Sequence, residues 1–163
     1  MFPDALIMSA RLLIADCEER RLKIATAESC TGGLVAALLT EIAGSSKVVE
    51  RGFVTYSNRA KEEMLGVPGD LIADHGAVSE PVARAMAEGA LRESNANIAV
   101  AITGVAGPGG GTALKPVGLV HIAAARENRS ILHEACRFGD IGRSEVRLKS
   151  VETALALMQR MVG

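Results

Sequence analysis

Apolar residues recur along this chain with two periods, and the switches between them lay out alternating helices and strands. Residues 4–20 carry Leu6, Ala10, Leu13 and Cys17 three or four apart, which predicts an amphipathic helix. Residues 22–27 read as a short strand, and 34–42 as a helix ending at Gly44. The next strand spans 47–57 and contains Val48, Val49, Phe53, Val54 and Tyr56. A helix follows over 59–65, stopped by Gly66 with Pro68 beyond. Ser79 is a good N-cap and Pro81 suits a first turn, so a helix runs from there to about 93 with Val82, Met86 and Ala90 on one face. Residues 98–103 form an apolar strand. The strands 117–125 and 131–138 meet near Glu127-Asn128 as an antiparallel hairpin. A last helix, 143–161, places Val151, Ala154, Leu155, Met158 and Val162 on one stripe. Strands alternating with helices predict an α/β layered sheet, and the late hairpin makes that sheet mixed. No linker, repeat or low-complexity segment divides residues 1–163, so a single domain is expected.

Composition narrows the function. Eighteen Lys and Arg against 19 Asp and Glu give a net charge of −1, without the basic footprint of a nucleic-acid binder. The only aromatic side chains are Phe2, Phe53, Tyr56 and Phe138, too few to stack single-stranded bases. Cys17, Cys30 and Cys136 show no CxxC spacing, and His75, His121 and His133 no metal-ligand spacing. A disulfide framework and a structural metal site are therefore not expected, and the cysteines suit a reducing compartment. The first twenty residues include Asp4, Arg11 and Asp16, leaving no apolar signal core. The longest uncharged run, 94–114, is broken by Asn95, Asn97 and the glycines after Gly107, so it reads as a strand plus a loop rather than a membrane span. A soluble, cytoplasmic protein is the expectation.

In open α/β sheets ligands bind beyond the carboxyl ends of the strands, which directs attention to three turns. Glu28-Ser29-Cys30-Thr31-Gly32-Gly33 joins the first strand to its helix. There a serine hydroxyl stands above the sheet beside free helix N–H groups, able to serve an oxyanion or a phosphate. The competing reading is that Ser29 or Thr31 simply caps the helix. Cys30 is a further candidate nucleophile at a helix N-terminus. The second turn, Tyr56-Ser57-Asn58-Arg59-Ala60-Lys61, puts a lysine in a first helical turn, where the dipole disfavours its charge. That suits a neutral base, although a solvated surface lysine is the commoner case. The third, 103–112, has five glycines in nine residues and offers backbone N–H donors to an anion or a ribose, or is a plain long turn. Arg143 and Arg147, four apart, could clamp a phosphate or salt-bridge Glu145 and its neighbours.

Thr26-Ala27-Glu28-Ser29-Cys30-Thr31-Gly32-Gly33, Ala43-Gly44-Ser45-Ser46 and Gly52-Phe53-Val54-Thr55-Tyr56-Ser57-Asn58 with Lys61 resemble the CinA C-terminal domain family. So do His75-Gly76-Ala77-Val78-Ser79-Glu80, the run from Thr103-Gly104 to Gly111, and Lys115-Pro116-Val117-Gly118. The pattern is closest to the stand-alone nicotinamide-nucleotide amidases. This resemblance implies a three-layer α/β/α sandwich with a mixed, mostly parallel sheet, usually assembled as a homo-oligomer. It implies hydrolysis of the carboxamide of nicotinamide mononucleotide, in pyridine-nucleotide salvage, with no metal and no cofactor. Ser29 would be the nucleophile, Lys61 the base, and Tyr56 would hydrogen-bond to Lys61. Backbone N–H groups of Cys30, Thr31, Gly32 and Gly33 would hold the oxyanion. The nucleotide's phosphate and ribose would meet Thr103, Gly104, Gly107, Gly109, Gly110 and Arg143, a reading from donors and charge. The alternative is a non-catalytic nucleotide-binding or regulatory module of the same fold.

Overall fold

The computed structural model describes residues 1–163. The first helix, α1, spans Asp4–Glu19 and buries the stripe Leu6, Ala10, Leu13, Ile14 and Cys17. Strand β1 (Ile24–Glu28) is buried along its whole length and leads into α2 (Leu34–Thr40). Strand β2 is Val49–Val54, shorter than the 47–57 expected. Ser45–Lys47 winds into a 3-10 turn, while Ser57 leaves the strand to accept the Ala60 N–H at 3.0 Å and cap α3 (Asn58–Leu65). Then come α4 (Gly69–His75), α5 (Glu80–Arg92), β3 (Ile98–Gly104), β4 (Leu119–Arg126), β5 (Leu132–Arg137) and α6 (Arg143–Val162). Helix α4 has no counterpart in the sequence reading. Its seven residues bury only Ile72, too little apolar periodicity to announce a helix.

The strands pair in the order β2-β1-β3-β4-β5. Pairing is parallel through β2-β1-β3 and antiparallel through β3-β4-β5, so the α/β fold carries a five-stranded mixed sheet. The hairpin joining β4 to β5 turns at Asn128, whose φ of 64° suits an asparagine in the left-handed region.

The two faces of the sheet are chemically different. On one, Ile24, Ile98, Val100, Ile102, Val120 and Ile122 pack against α1, α2 and α6. On the other, Ala25, Ala27, Ala99, Ala101, Ala123 and Ala125 meet Val82, Ala83, Met86, Ala87 and Ala90 of α5. Alternation along each strand sorts bulky side chains to one side and methyl groups to the other. The small face brings α5 close, and α3 packs beside it through Leu65. This arrangement sets Lys61 of α3 beneath the carboxyl ends of β1 and β2.

Candidate active site

Ser29 leaves β1 with its N–H still donating to the Ile102 carbonyl of β3 at 2.9 Å, so the sheet itself fixes the serine backbone. Next to it the Thr55 N–H donates to the Glu28 carbonyl at 2.9 Å and carries the β1–β2 pairing one step past the strands. Lys61 enters this corner from below. It is 1% exposed and forms no salt bridge; its Nζ lies 3.0 Å from Ser29 Oγ, 2.9 Å from the Thr55 carbonyl and 3.3 Å from the Tyr56 carbonyl. Burial pulls its pKa below the ordinary lysine value, with Cys30 acting in the opposite direction. Lys61 Nζ donates to Ser29 Oγ as well as to both carbonyls, and the Ser29 hydroxyl in turn donates to the Tyr56 carbonyl at 3.5 Å. Loss of one proton from the amine would turn a lone pair toward the serine, the arrangement a general base needs.

Tyr56 stands differently from the sequence expectation. Its backbone carbonyl contacts Lys61, but its side chain is 61% exposed and its hydroxyl accepts a hydrogen bond from Arg143 Nη2 at 3.1 Å. Tyr56 is the last residue before the α3 cap, and the chain there aims the ring outward over the cavity rim. The expected bond from the phenol to the lysine is therefore corrected: the contact with Lys61 is made by the main chain.

Neither Ser29 nor Thr31 caps α2. The cap is the buried carboxylate of Glu28, which accepts the N–H of Val35 at 2.9 Å, the N–H of Ala36 at 3.2 Å and the Thr31 hydroxyl at 2.6 Å. Ser29 Oγ is thereby left for Lys61. The Gly32 N–H donates to the Ser29 carbonyl at 3.0 Å. Because a peptide is planar with C=O and N–H opposed, that bond turns the Cys30 N–H the other way. Of the four expected oxyanion donors only Cys30 lines the cavity, together with Ser29. The Gly32 N–H is spent inside the turn, and Thr31, Gly32 and Gly33 lie outside the cavity lining. The Cys30 thiol itself is buried, and desolvation pushes its pKa up to about 12, which makes it a poor nucleophile.

The cavity holds about 310 Å³ above this pair. One wall is the end of β3 and the glycine loop, with Thr103, Gly104, Gly107, Gly109 and Gly110; another is Ala77-Val78; Asn58 and Arg143 close the rim. Thr103 is buried and its hydroxyl donates to the Ala77 carbonyl at 2.9 Å, so it braces the wall. Arg143 ties the rim together, donating from Nη1 to the Gly107 carbonyl at 2.6 Å and from Nη2 to the tyrosine. Arg147 does not join it. It turns under the serine turn and donates to the Cys30 and Thr31 carbonyls, both at 3.1 Å. Neither arginine pairs with Glu145. His121 and His133 contact each other, Nδ1 to Nε2 at 2.9 Å, and line no part of the cavity. No three His, Cys, Asp or Glu side chains gather as a metal site, and no helix is long and apolar enough to cross a membrane.

Sequence reasoning gave no role to Glu28, Asn58 or Ala77-Val78, and expected Arg147 on a phosphate or a salt bridge rather than on the Cys30 and Thr31 carbonyls. Glu28 had a signal: a carboxylate ending a mostly apolar strand needs buried partners, and a helix N-terminus follows it.

Residues 8–162 match the model of the CinA C-terminal domain. A CinA-like protein of Mycobacterium sp. (strain JLS) is 59% identical over 138 residues, covering 84% of this chain and 32% of that protein. The chain thus spans about a third of the length of the curated relatives it matches. Among solved structures, the competence/damage inducible protein CihA from Agrobacterium tumefaciens superposes with a TM-score of 0.99 at 55% identity, covering 100% of this chain and 99% of that one. A competence-damaged protein (CinA) superfamily protein from Escherichia coli gives 0.91 at 31% identity, covering 99% and 94%.

Proposed function

This chain belongs to the CinA C-terminal domain family, and from that premise we propose that it hydrolyses the carboxamide of nicotinamide mononucleotide through an acyl-serine intermediate. The observation that carries the reading is the buried Lys61 amine 3.0 Å from Ser29 Oγ, with no carboxylate to hold a proton on it. A protein that only binds a nucleotide has no need of a buried lysine, its charge disfavoured, against a serine.

In the proposed reaction Ser29 gives its proton to Lys61 as Oγ bonds to the amide carbon. The carbonyl oxygen takes up the negative charge and meets the Cys30 N–H; one such donor is worth about 3 kcal/mol in well-studied hydrolases. As the C–N bond breaks, the Lys61 ammonium returns its proton to the leaving nitrogen, and ammonia departs. Lys61 then takes a proton from water, which attacks the ester, frees Ser29 and leaves nicotinic acid mononucleotide. The rim supports the substrate assignment: Arg143 offers a guanidinium, and the glycine loop offers backbone N–H groups, to a phosphate and a ribose. Such a step belongs to pyridine-nucleotide salvage.

The test is ammonia release from nicotinamide mononucleotide by the purified chain without added metal. Ser29→Ala should lower turnover by about a thousandfold or more, as removal of a nucleophile does, while Cys30→Ala keeps it. Binding of the nucleotide with no ammonia released would instead leave a non-catalytic binding module.

A further inference from the structure

The structure assigns to Arg147 the role of positioning residue for the nucleophile turn. It aims the Cys30 N–H that receives the oxyanion, and it touches no substrate. The inference rests on the serine–lysine amidase reading above and adds to it a residue outside the cavity.

Arg147 lies in the second turn of α6, half-buried, and its Nε and Nη2 reach the Cys30 and Thr31 carbonyls. Each carbonyl shares a rigid plane with the next residue's N–H, which points the opposite way. Holding the Cys30 carbonyl therefore sets the Thr31 N–H. Holding the Thr31 carbonyl sets the Gly32 N–H, which donates to the Ser29 carbonyl and so orients the Cys30 N–H beside the reacting carbon. The guanidinium thus acts on the oxyanion donor through three linked peptides. Its charge also polarises them, because a cation on a carbonyl strengthens the chain of hydrogen bonds beyond it. A β-carbon at Gly32 would lie 3.4 Å from Arg147 Nη2, so the guanidinium sits directly over the turn. On the far side Glu28 grips the same turn through Thr31 and the start of α2. A cation braces the carbonyls and an anion braces the donors.

Two features separate this role from binding. Arg147 lines no part of the cavity, unlike Arg143 one helical turn earlier, which ties Tyr56 to the glycine loop at the rim. Two arginines in the first turns of a helix also run against its macrodipole, which favours anions there. A break in a local rule of this kind marks a functional constraint.

The experiment compares Arg147→Gln and Arg147→Lys with wild type in two reactions. In nicotinamide mononucleotide hydrolysis, Arg147→Gln should lose about tenfold to a hundredfold in kcat, somewhat less than outright removal of an oxyanion donor. KM should stay within about twofold, because the lost interaction belongs to the transition state. Arg147→Lys, keeping the charge but only one of the two carbonyl contacts, should recover part of the loss. The second reaction needs no nicotinamide: a fluorophosphonate bonds Ser29 Oγ to phosphorus as fluoride leaves, and its oxygen develops charge at the same donor. Its rate should fall by a similar factor. If wild type labels at Ser29 but leaves the nucleotide intact, the substrate reading fails, while the labelling ratio still decides Arg147. Unchanged kcat and labelling in Arg147→Gln overturn the inference. So does a rise in KM at constant kcat, a loss that matches only the unfolded fraction seen by thermal melting, or a wild-type serine that does not label.

Discussion

Taking an ammonium out of water costs several kcal/mol, and Lys61 has no carboxylate to offset that cost. Burial therefore shifts Lys61 toward the neutral amine, the form a general base requires. The sign follows directly. The proposed amidase activity should be full above the folded pKa of Lys61 and be lost as pH falls through it, with unit slope and a midpoint below 10.5. A pH profile of kcat/KM measures this limb. Lys61→Arg, whose guanidinium stays protonated, should remove the limb and cost about a thousandfold in rate, in line with loss of a general base. Tyr56 gives the complementary case. Its phenol meets Arg143 in the open, where such a bond contributes about 1 kcal/mol. Tyr56→Phe should therefore change KM by about fivefold or less, at nearly constant kcat. A collapse of kcat would show that the hydroxyl reaches the reacting atoms after all.

Between residue and molecule, the helices act as arms that carry single groups to the sheet's edge. Helix α3 is held by α5 at its far end: Arg92 Nη2 donates to the Leu65 carbonyl at 2.7 Å, and Gly89 lets the two backbones approach. A β-carbon at Gly89 would run into that same carbonyl, so the glycine is needed for closeness rather than for its φ. Gly89→Ala should destabilise the protein by about 3 kcal/mol, read as a lower urea midpoint at unchanged slope. Surviving folded protein should also lose turnover, because Lys61 rides on α3. Helix α6 is pinned at its other end, where Arg126 donates to the Met161 and Val162 carbonyls at 2.7 and 3.1 Å and Arg129 to Met161 at 3.2 Å. Those cations suit the negative end of the helix. With its C-terminus fixed, the first turns of α6 deliver Arg143 to the cavity rim and Arg147 to the serine turn.

Across the whole molecule the sheet separates two cores of unequal thickness. The face toward α1 and α6 is filled with Leu, Ile, Val and Met, whereas the face toward α5 is mostly alanine. Methyl groups on this face bring α5 close, and with it α3 and the lysine. A larger side chain on that face has nowhere to go. Ala101→Leu should cost about 3 kcal/mol by overpacking. Ile102→Val, one residue along on the opposite face, should cost about 1 kcal/mol by leaving a small cavity. Paired thermal melts measure the difference.

Much of this was legible along the chain. The helix stripe of residues 4–20, the Ser79 cap and the 131–138 strand follow from period and capping chemistry, which are local and so visible in order. Ser29 and Lys61 stood out because unusual polar residues sat at turns between apolar elements. What the chain could not display was which of two neighbouring groups reaches which. Tyr56 and Lys61 lie five residues apart, yet the turn of the chain at Ser57 sends the phenol to Arg143, 87 positions away, and gives the lysine the main chain. Glu28 and Arg147 act on one turn from opposite ends of the chain. The sequence by itself determined most of the elements, α4 excepted, the α/β class and the residue types available for chemistry, because these depend on periodicity and on local backbone preference. Only the tertiary structure decided the lowered pKa of Lys61, the raised pKa of Cys30 and the separate contacts of Arg143 and Arg147. Those depend on burial and on partners far along the chain, and both arise only when the sheet has assembled.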